Sequence, residues 1–276
     1  MKLTRKIVAD SAGDRPFNVA TAPLKIITAQ REYVDDASLN VRQMVEELQQ
    51  YKGKSSTSCP NAEDWLEAFG DADEIFCVTI TATLSGSYNA ACMAKELYER
   101  EYPGRRVFVL NSLTAGPEIA LLLEKLHELI EQEMTFEEIC SAVERYREET
   151  GLLFILESMK NLANNGRVSH LTAKMAGLLG IRVVGRASNR GDLEPLAKCR
   201  GEQHALKAVL QQLQALGCHG GKVRVAHCFN EEAAEALRAM IEAAFDTVQV
   251  SVYPCGGLCS FYAEQGGILI GFEKQR

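Results

Sequence analysis

Short apolar runs alternate with amphipathic stretches along the first half of the chain. Lys6 to Ala9 reads as a strand ending at Asp10-Ser11, and Leu24 to Thr28 as a second. Val41, Met44, Val45 and Leu48 recur at helical spacing behind Asn40, a suitable N-cap, so a helix is expected through Gln50. Residues 53–61 are polar and read as a loop leading into a helix with Trp65, Leu66 and Phe69. Ile75 to Ile80 is a buried strand, residues 81–87 turn, and Tyr88 to Glu101 is a helix. Val107 to Leu110 is another strand, followed by a long helix near Pro117 to Gln132. Thr135 and Glu138 form a capping-box pair that opens one more helix, to Glu149. This alternation predicts a parallel sheet with helices on both faces.

After Thr150 the pattern changes. Leu152 to Leu156 is apolar, and a polar stretch then runs from Ser158 to Ser169. A helix is expected near Ala173 to Leu179. Ile181 to Val184 and Leu193 to Cys199 read as strands around the turn Asn189-Arg190-Gly191-Asp192. His204 to Leu216 is helical, Val223 to His227 is a strand, and Asn230 opens a helix to Phe245. Val248 to Tyr253 and Gly267 to Phe272 close the chain as strands. Neighbouring strands joined by turns predict a mixed or antiparallel second sheet. The expected organisation is an N-terminal α/β domain over residues 1–155 and a C-terminal α/β domain over residues 156–276.

Composition narrows the function classes. The chain has 276 residues, 46% hydrophobic and 24% charged, which is ordinary for a globular protein. Its net charge of -7 and the lack of a dense basic run argue against a nucleic-acid partner. The basic pairs Arg105-Arg106 and Lys222 with Arg224 flank apolar runs and read as strand-edge charges. The first nine residues are too short and polar for a signal peptide, and Glu124, Lys125 and His127 interrupt the apolar run at Leu121 to Leu123, so no stable membrane insertion is expected. Nine cysteines without framework spacing indicate reduced thiols and a cytoplasmic location.

Three segments could carry chemistry. Thr81-Ala82-Thr83-Leu84-Ser85-Gly86-Ser87-Tyr88 follows a buried strand and opens a helix. Ligands of open α/β sheets sit beyond the carboxyl ends of strands, and a helix start offers free N–H groups to an anion. Ser85 and Ser87 add hydroxyls, and Gly86 admits close backbone approach. No lysine lies in the turn, so it suits a carboxylate better than a triphosphate. Plain helix capping by Ser85 or Ser87 explains the same spacing. Ser55-Ser56-Thr57-Ser58 before Pro60 is a second hydroxyl cluster, which a capping loop also explains. Asp10-Ser11-Ala12-Gly13-Asp14 follows the first strand. The alternative enzymatic reading is a small hydrolase or phosphatase that uses Asp10 or a Ser as nucleophile, and otherwise Asp10 is a hydrogen-bonding turn residue. The hydrolase reading lacks both a second Asp at position 12 and a Gly-x-Ser-x-Gly elbow. Cys255 with Cys259, Cys218-His219 and His227-Cys228 do not have the spacing of a zinc knuckle, so no metal is expected.

Taken in order, the motifs resemble the DegV family over nearly the whole chain. Asp10-Ser11 follows the first strand. Thr57-Ser58-Cys59-Pro60 matches the family's Thr-Ser-x-Pro, and Leu84-Ser85-Gly86-Ser87-Tyr88 its Leu-Ser-Gly-Thr-Tyr. Gly166-Arg167-Val168-Ser169 matches Gly-Arg-Ile-Ser, and Lys198-Cys199-Arg200-Gly201 matches Lys-x-Arg-Gly. The resemblance implies two α/β domains with a long-chain fatty acid in a tunnel at their junction. It implies a lipid-binding subunit with no catalytic residues and no cofactor, whose ligand is presented to a separate kinase related to dihydroxyacetone kinase, which makes acyl phosphate. The carboxylate would meet Thr57, Ser58, Ser85, Gly86 and Ser87. Arg167 and Arg200 would lie at the mouth or dock the kinase. The family's His-x-Gly-Pro-Gly is represented here by residues 262–266, so Tyr262 stands where the histidine would, and Asn111 replaces a frequent Asp. The apolar lining is expected around Leu113, Ile119 and Met175.

Overall fold

A computed structural model of the protein describes residues 3–14, 19–169 and 180–274. Alternation of side chains across extended segments builds a first, wholly parallel sheet in the order β2 (Ala20–Ala22), β1 (Arg5–Asp10), β6 (Glu74–Thr79) and β7 (Arg106–Asn111). Both its faces are covered, which is why its strands are apolar throughout. Val8, Ile75 and Cys77 pack against Trp65 and Phe69 of α2 (Ala62–Phe69) and Ala91 and Tyr98 of α3 (Ser87–Glu101). Ile7, Ala9, Phe76 and Val78 pack on the opposite face against α4 (Pro117–Glu131) and α5 (Phe136–Glu148).

The second sheet has six strands, in the order β10 (Leu193–Arg200), β9 (Ile181–Ala187), β8 (Thr150–Leu156), β13 (Ile268–Glu273), β11 (Gly221–His227) and β12 (Val248–Pro254). It is mixed, with β11 and β12 parallel and every other pair antiparallel. Leu153, Ile155, Val223, Val225, Ile268 and Ile270 form one face, under α7 (Glu202–Ala215) and α8 (Glu231–Ala244). By sheet membership β8 belongs wholly to this second unit.

Several elements were not foreseen. Residues 53–61 are not simply a loop. Ser56–Ser58 is β5, the edge of a three-stranded antiparallel sheet with β3 (Lys25–Ile27) and β4 (Glu32–Val34), so Leu24 to Thr28 serves this small sheet and not the parallel one. A short helix, α9 (Gly257–Ala263), follows β12 and packs on β3 and on α1 (Val41–Gln50) and α6 (Lys160–Asn164). Asn40 caps α1 through Gln43 N–H at 3.0 Å, and Thr135 with Glu138 forms the expected capping box. Asn230 precedes α8, but its amide bonds Glu202 and the Gly266 carbonyl and caps nothing. The helix expected at Ala173 to Leu179 lies outside the described residues.

The buried helix α4 joins the two sheets. It touches β1 and β6 on one side and β8, β11 and β13 on the other. Its Glu124 takes a two-pronged bond from Arg224 of β11 at 2.5 and 2.7 Å, and Lys222 pairs with Glu124 at 3.0 Å. These cations are therefore ties between the units, not free strand-edge charges. Where α4 crosses β13 the packing is tight enough to require glycine. A Cβ on Gly271 would lie 2.5 Å from the Glu118 nitrogen and the Pro117 carbonyl carbon. Gly271→Ala should push α4 off the sheet and cost ~1–3 kcal/mol or more, read as a lowered denaturation midpoint; an unchanged midpoint would refute the close crossing.

Candidate functional site

The site grows from the carboxyl ends of β1 and β6, where strand order reverses and an open α/β sheet leaves a crevice. Asp10 ends β1 and is buried. Its Oδ2 accepts the Ile80 N–H at 2.9 Å and the Ser87 hydroxyl at 2.6 Å, and its Oδ1 accepts the Ala12 N–H at 3.3 Å. Asp10 thus pins both ends of the turn 80–87. Burial outweighs these bonds and raises its carboxyl to about 6. Asp10, read as either a nucleophile or a turn residue, has its carboxylate engaged in these hydrogen bonds, with the Ser87 hydroxyl as one partner.

The pinned turn presents Ser85. Its Oγ accepts the Ser87 N–H at 3.3 Å, leaving the hydroxyl proton for another acceptor. The second unit grips the same turn. Thr83 donates to the Gly191 carbonyl at 2.8 Å, and Arg167 Nε donates to the Leu84 carbonyl at 3.1 Å. Gly191 sits at φ +86°, and a Cβ there would strike Thr81 Oγ1 at 2.0 Å, so only glycine lets the β9–β10 hairpin seat on the turn.

Thr57, on β5, meets Tyr262, on α9, at 2.6 Å between hydroxyl oxygens. Burial raises the Tyr262 phenol, so it is a neutral hydroxyl near pH 7. The Arg167 guanidinium lies 5.9 Å from the Tyr262 ring centroid. Thr57, Ser85, Arg167 and Tyr262, drawn from four separate segments, line one cavity. Among the described residues of its lining, Arg167 is the only charged one.

The rest of that lining is apolar. Its floor is the second face of the six-stranded sheet: Leu152, Phe154 and Leu156 of β8, with Leu269 of β13 beside Phe154. Alternate residues of a strand share a face, so these three β8 side chains form a row spanning about 13 Å. Leu24, Ile80, Leu84 and Ala115 come from the first unit, and Leu258 and Cys259 from α9. Such a space suits a ligand with a long apolar body and one small polar end.

Several expected residues fall elsewhere. Ser58 neighbours Thr57 on β5 and so faces the other way. Gly86 is the N-cap of α3 and abuts Cys59, whose Sγ would lie 3.1 Å from an added Cβ. Neither Ser58, Gly86 nor Ser87 lines the cavity. Arg200 is exposed at the end of β10 and is not among the residues lining the cavity. Leu113 lines a different cleft, Ile119 lies in the core between α4 and the first sheet, and Met175 is outside the described residues. Among the described residues no group of three His, Cys, Asp or Glu side chains could hold a metal. No cysteine is in a disulfide. No described helix is long and apolar enough to cross a membrane.

An unforeseen acid pair fixes α9. Asp14 Oδ1 accepts the Gly256 N–H at 2.8 Å, and Asp35 accepts the Gly257 and Leu258 N–H groups at 2.9 and 3.0 Å. Both carboxylates belong to the first unit, and together they hold the start of the helix that carries Tyr262. Burial, with the Asp35 charge adding, raises Asp14 to about 7.

Fold and site together define an α/β protein built around one apolar cavity whose mouth carries hydroxyls and a guanidinium. The chain belongs to the DegV family, whose model, described as "Uncharacterised protein, DegV family", matches residues 5–275. A DegV domain-containing protein of Streptococcus pneumoniae (strain ATCC BAA-255 / R6) is 42% identical over 279 residues, 98% of this chain and 99% of its own length. Among solved structures, a DegV family protein from Eubacterium eligens loaded with heptadecanoic acid is 44% identical with a TM-score of 0.95, covering 98% of this chain and 100% of that one. The Streptococcus pneumoniae Fatty Acid Kinase (Fak) B3 protein loaded with linoleic acid is 42% identical with a TM-score of 0.96, covering 99% of this chain and 100% of that one.

The buried acids make stability depend on pH. Asp10 and Asp14 bind protons more tightly when folded than when unfolded, since their folded values of about 6 and about 7 exceed the ordinary 3.8. Their contribution is therefore complete below about pH 4 and is lost as pH rises through 6 and 7. The thermal midpoint should fall between about pH 4 and pH 7, and Asp14→Asn, which keeps an oxygen for Gly256, should flatten that fall. A midpoint that rises across this range would contradict the assignment.

Proposed function

We propose that this protein binds one long-chain fatty acid, its carboxylate at the hydroxyl-lined mouth and its tail along the row of β8 side chains. The observation that carries this reading is that Thr57, Ser85, Tyr262 and Arg167 converge in the lining of one otherwise apolar cavity. A carboxylate leaves water only where donors replace its hydration. Two hydroxyl protons remain to donate here, that of Ser85 and one from the Thr57–Tyr262 pair, and hydrogen bonds to a charged group contribute roughly 1.5–3 kcal/mol each. Arg167 supplies the compensating positive charge, and Tyr262 donates without carrying charge, unlike a histidine. Each buried methylene adds roughly 0.8 kcal/mol, so a tail of about fifteen carbons contributes on the order of 12 kcal/mol before ordering and association costs. The tail sets affinity and the mouth sets direction.

In this reading the protein is a cytoplasmic carrier subunit and not an enzyme. It offers the carboxylate to a separate fatty acid kinase related to dihydroxyacetone kinase, which forms acyl phosphate with ATP. Support comes from a 42% identical relative that bears the name Fatty Acid Kinase B3 protein. Ser58, Gly86 and Ser87 act indirectly, through the strand, turn and helix start that carry Thr57 and Ser85. Exposed Arg200 is available to the kinase.

Native mass spectrometry of protein from a lipid-replete host should find one fatty acid per chain. Thr57→Ala with Ser85→Ala should weaken retention on the order of a hundredfold, from two lost charge-assisted bonds. The methyl ester of the same acid should bind the unaltered and doubly substituted proteins alike. A lipid-free protein, or an acid bound equally by both, would defeat the assignment.

A further inference from the structure

The row of β8 side chains stops abruptly. Thr150, Leu152, Phe154 and Leu156 alternate onto the same face of the sheet, yet only the last three line the cavity. Thr150 is buried, and its hydroxyl donates to Glu118 Oε1 at 2.8 Å. Glu118 lies in the first turn of α4 and is buried as well. Beyond this pair opens a polar cleft lined by Ser112, Arg147, Ser188 and Lys274. Among the described residues, Leu152 alone belongs to the lining of both spaces. It is the partition between them.

We propose that Leu152, backed by the Glu118–Thr150 pair, is the end stop of the cavity and sets the longest acyl chain the protein holds. The proposal rests on the fatty-acid reading above. A tail that reached Leu152 would gain nothing by going further. Its next methylenes would displace a leucine only to meet a bonded hydroxyl, a carboxyl and a polar cleft lined by both cations and carboxylates. Sideways escape toward β13 is closed, because the α4 backbone lies directly on Gly271, which pairs with Leu152 in the sheet. Each methylene added short of the stop should raise affinity about fourfold, and each one past it should not.

The test uses the delipidated full chain, offered an equimolar mixture of saturated acids of roughly twelve to twenty-two carbons, with the bound acids extracted and quantified. Leu152→Ala should move the bound distribution toward longer acids by about two carbons, with the ratio of longer to shorter rising about fourfold or more. Leu152→Phe should move it toward shorter acids. The phenylalanine variant keeps the interior filled, so it decides the question if the alanine variant does not fold. If either folded variant binds one acid per chain with the distribution of the unaltered protein, the end stop is overturned and the fatty-acid reading stands. An unaltered protein that takes up no acid of any length overturns both.

Discussion

Burial of α4 between two sheets is the constraint on which the rest depends. A helix covered on both sides must be apolar nearly all round, and Ile119 to Leu123, Leu126 and Leu129 meet that demand. Its charged residues are tolerated because each finds a partner. Glu124 is held by Arg224 and Lys222, and Glu118 by Thr150. A buried pair of this kind is weak as a source of stability, but removing one partner strands the other, so it enforces register. The register in question is that of the first unit on the second. Past the N-terminus of α4 the facing surfaces stand apart, and there they bound the cavity.

The mouth is precise for a different reason. Its residues come from a strand edge, a turn, a short helix and the segment after α6, none of which is rigid by itself. Each is fixed by a hydrogen bond to another element. Asp10 holds the turn from within the first unit, and Gly191 with Arg167 holds it from the second. Asp14 and Asp35 hold α9. Nearly every one of these ties crosses between distant parts of the chain. The polar end of the cavity therefore exists only when both units are docked, while the apolar floor belongs to one sheet alone. Raised carboxyl values at Asp10 and Asp14 are the cost of building such ties in a water-poor interior.

Much of the fold was legible because local physics repeats. Hydrophobic period separated strands from helices, the capping pair at Thr135 and Glu138 was read correctly, and the change after Thr150 marked the passage from a parallel to a mixed sheet. The misses have specific causes. Thr57 lies in a three-residue strand of serines and threonine, which carries no apolar alternation to detect. Helix α9 begins Gly256-Gly257, a pair that reads as a turn. Ser87 resembled Ser85 in sequence, and only the position of Asp10 separates a cavity-lining hydroxyl from one bonded to a buried carboxylate.

The continuous apolar run from Leu152 to Leu156 is the most instructive case. Its composition alone establishes that both faces of the strand avoid water, and by itself the sequence determined the two-unit α/β fold, the hydroxyl-bearing segments and the family. It could not say that Leu153 and Ile155 meet other side chains while Leu152, Phe154 and Leu156 line a cavity, because solvent exclusion imposes the same residue types in both situations. That distinction, along with the meeting of Thr57, Ser85, Arg167 and Tyr262, was decided only by tertiary structure. It depends on where two sheets stop touching, and that distance is set by a helix shared between them.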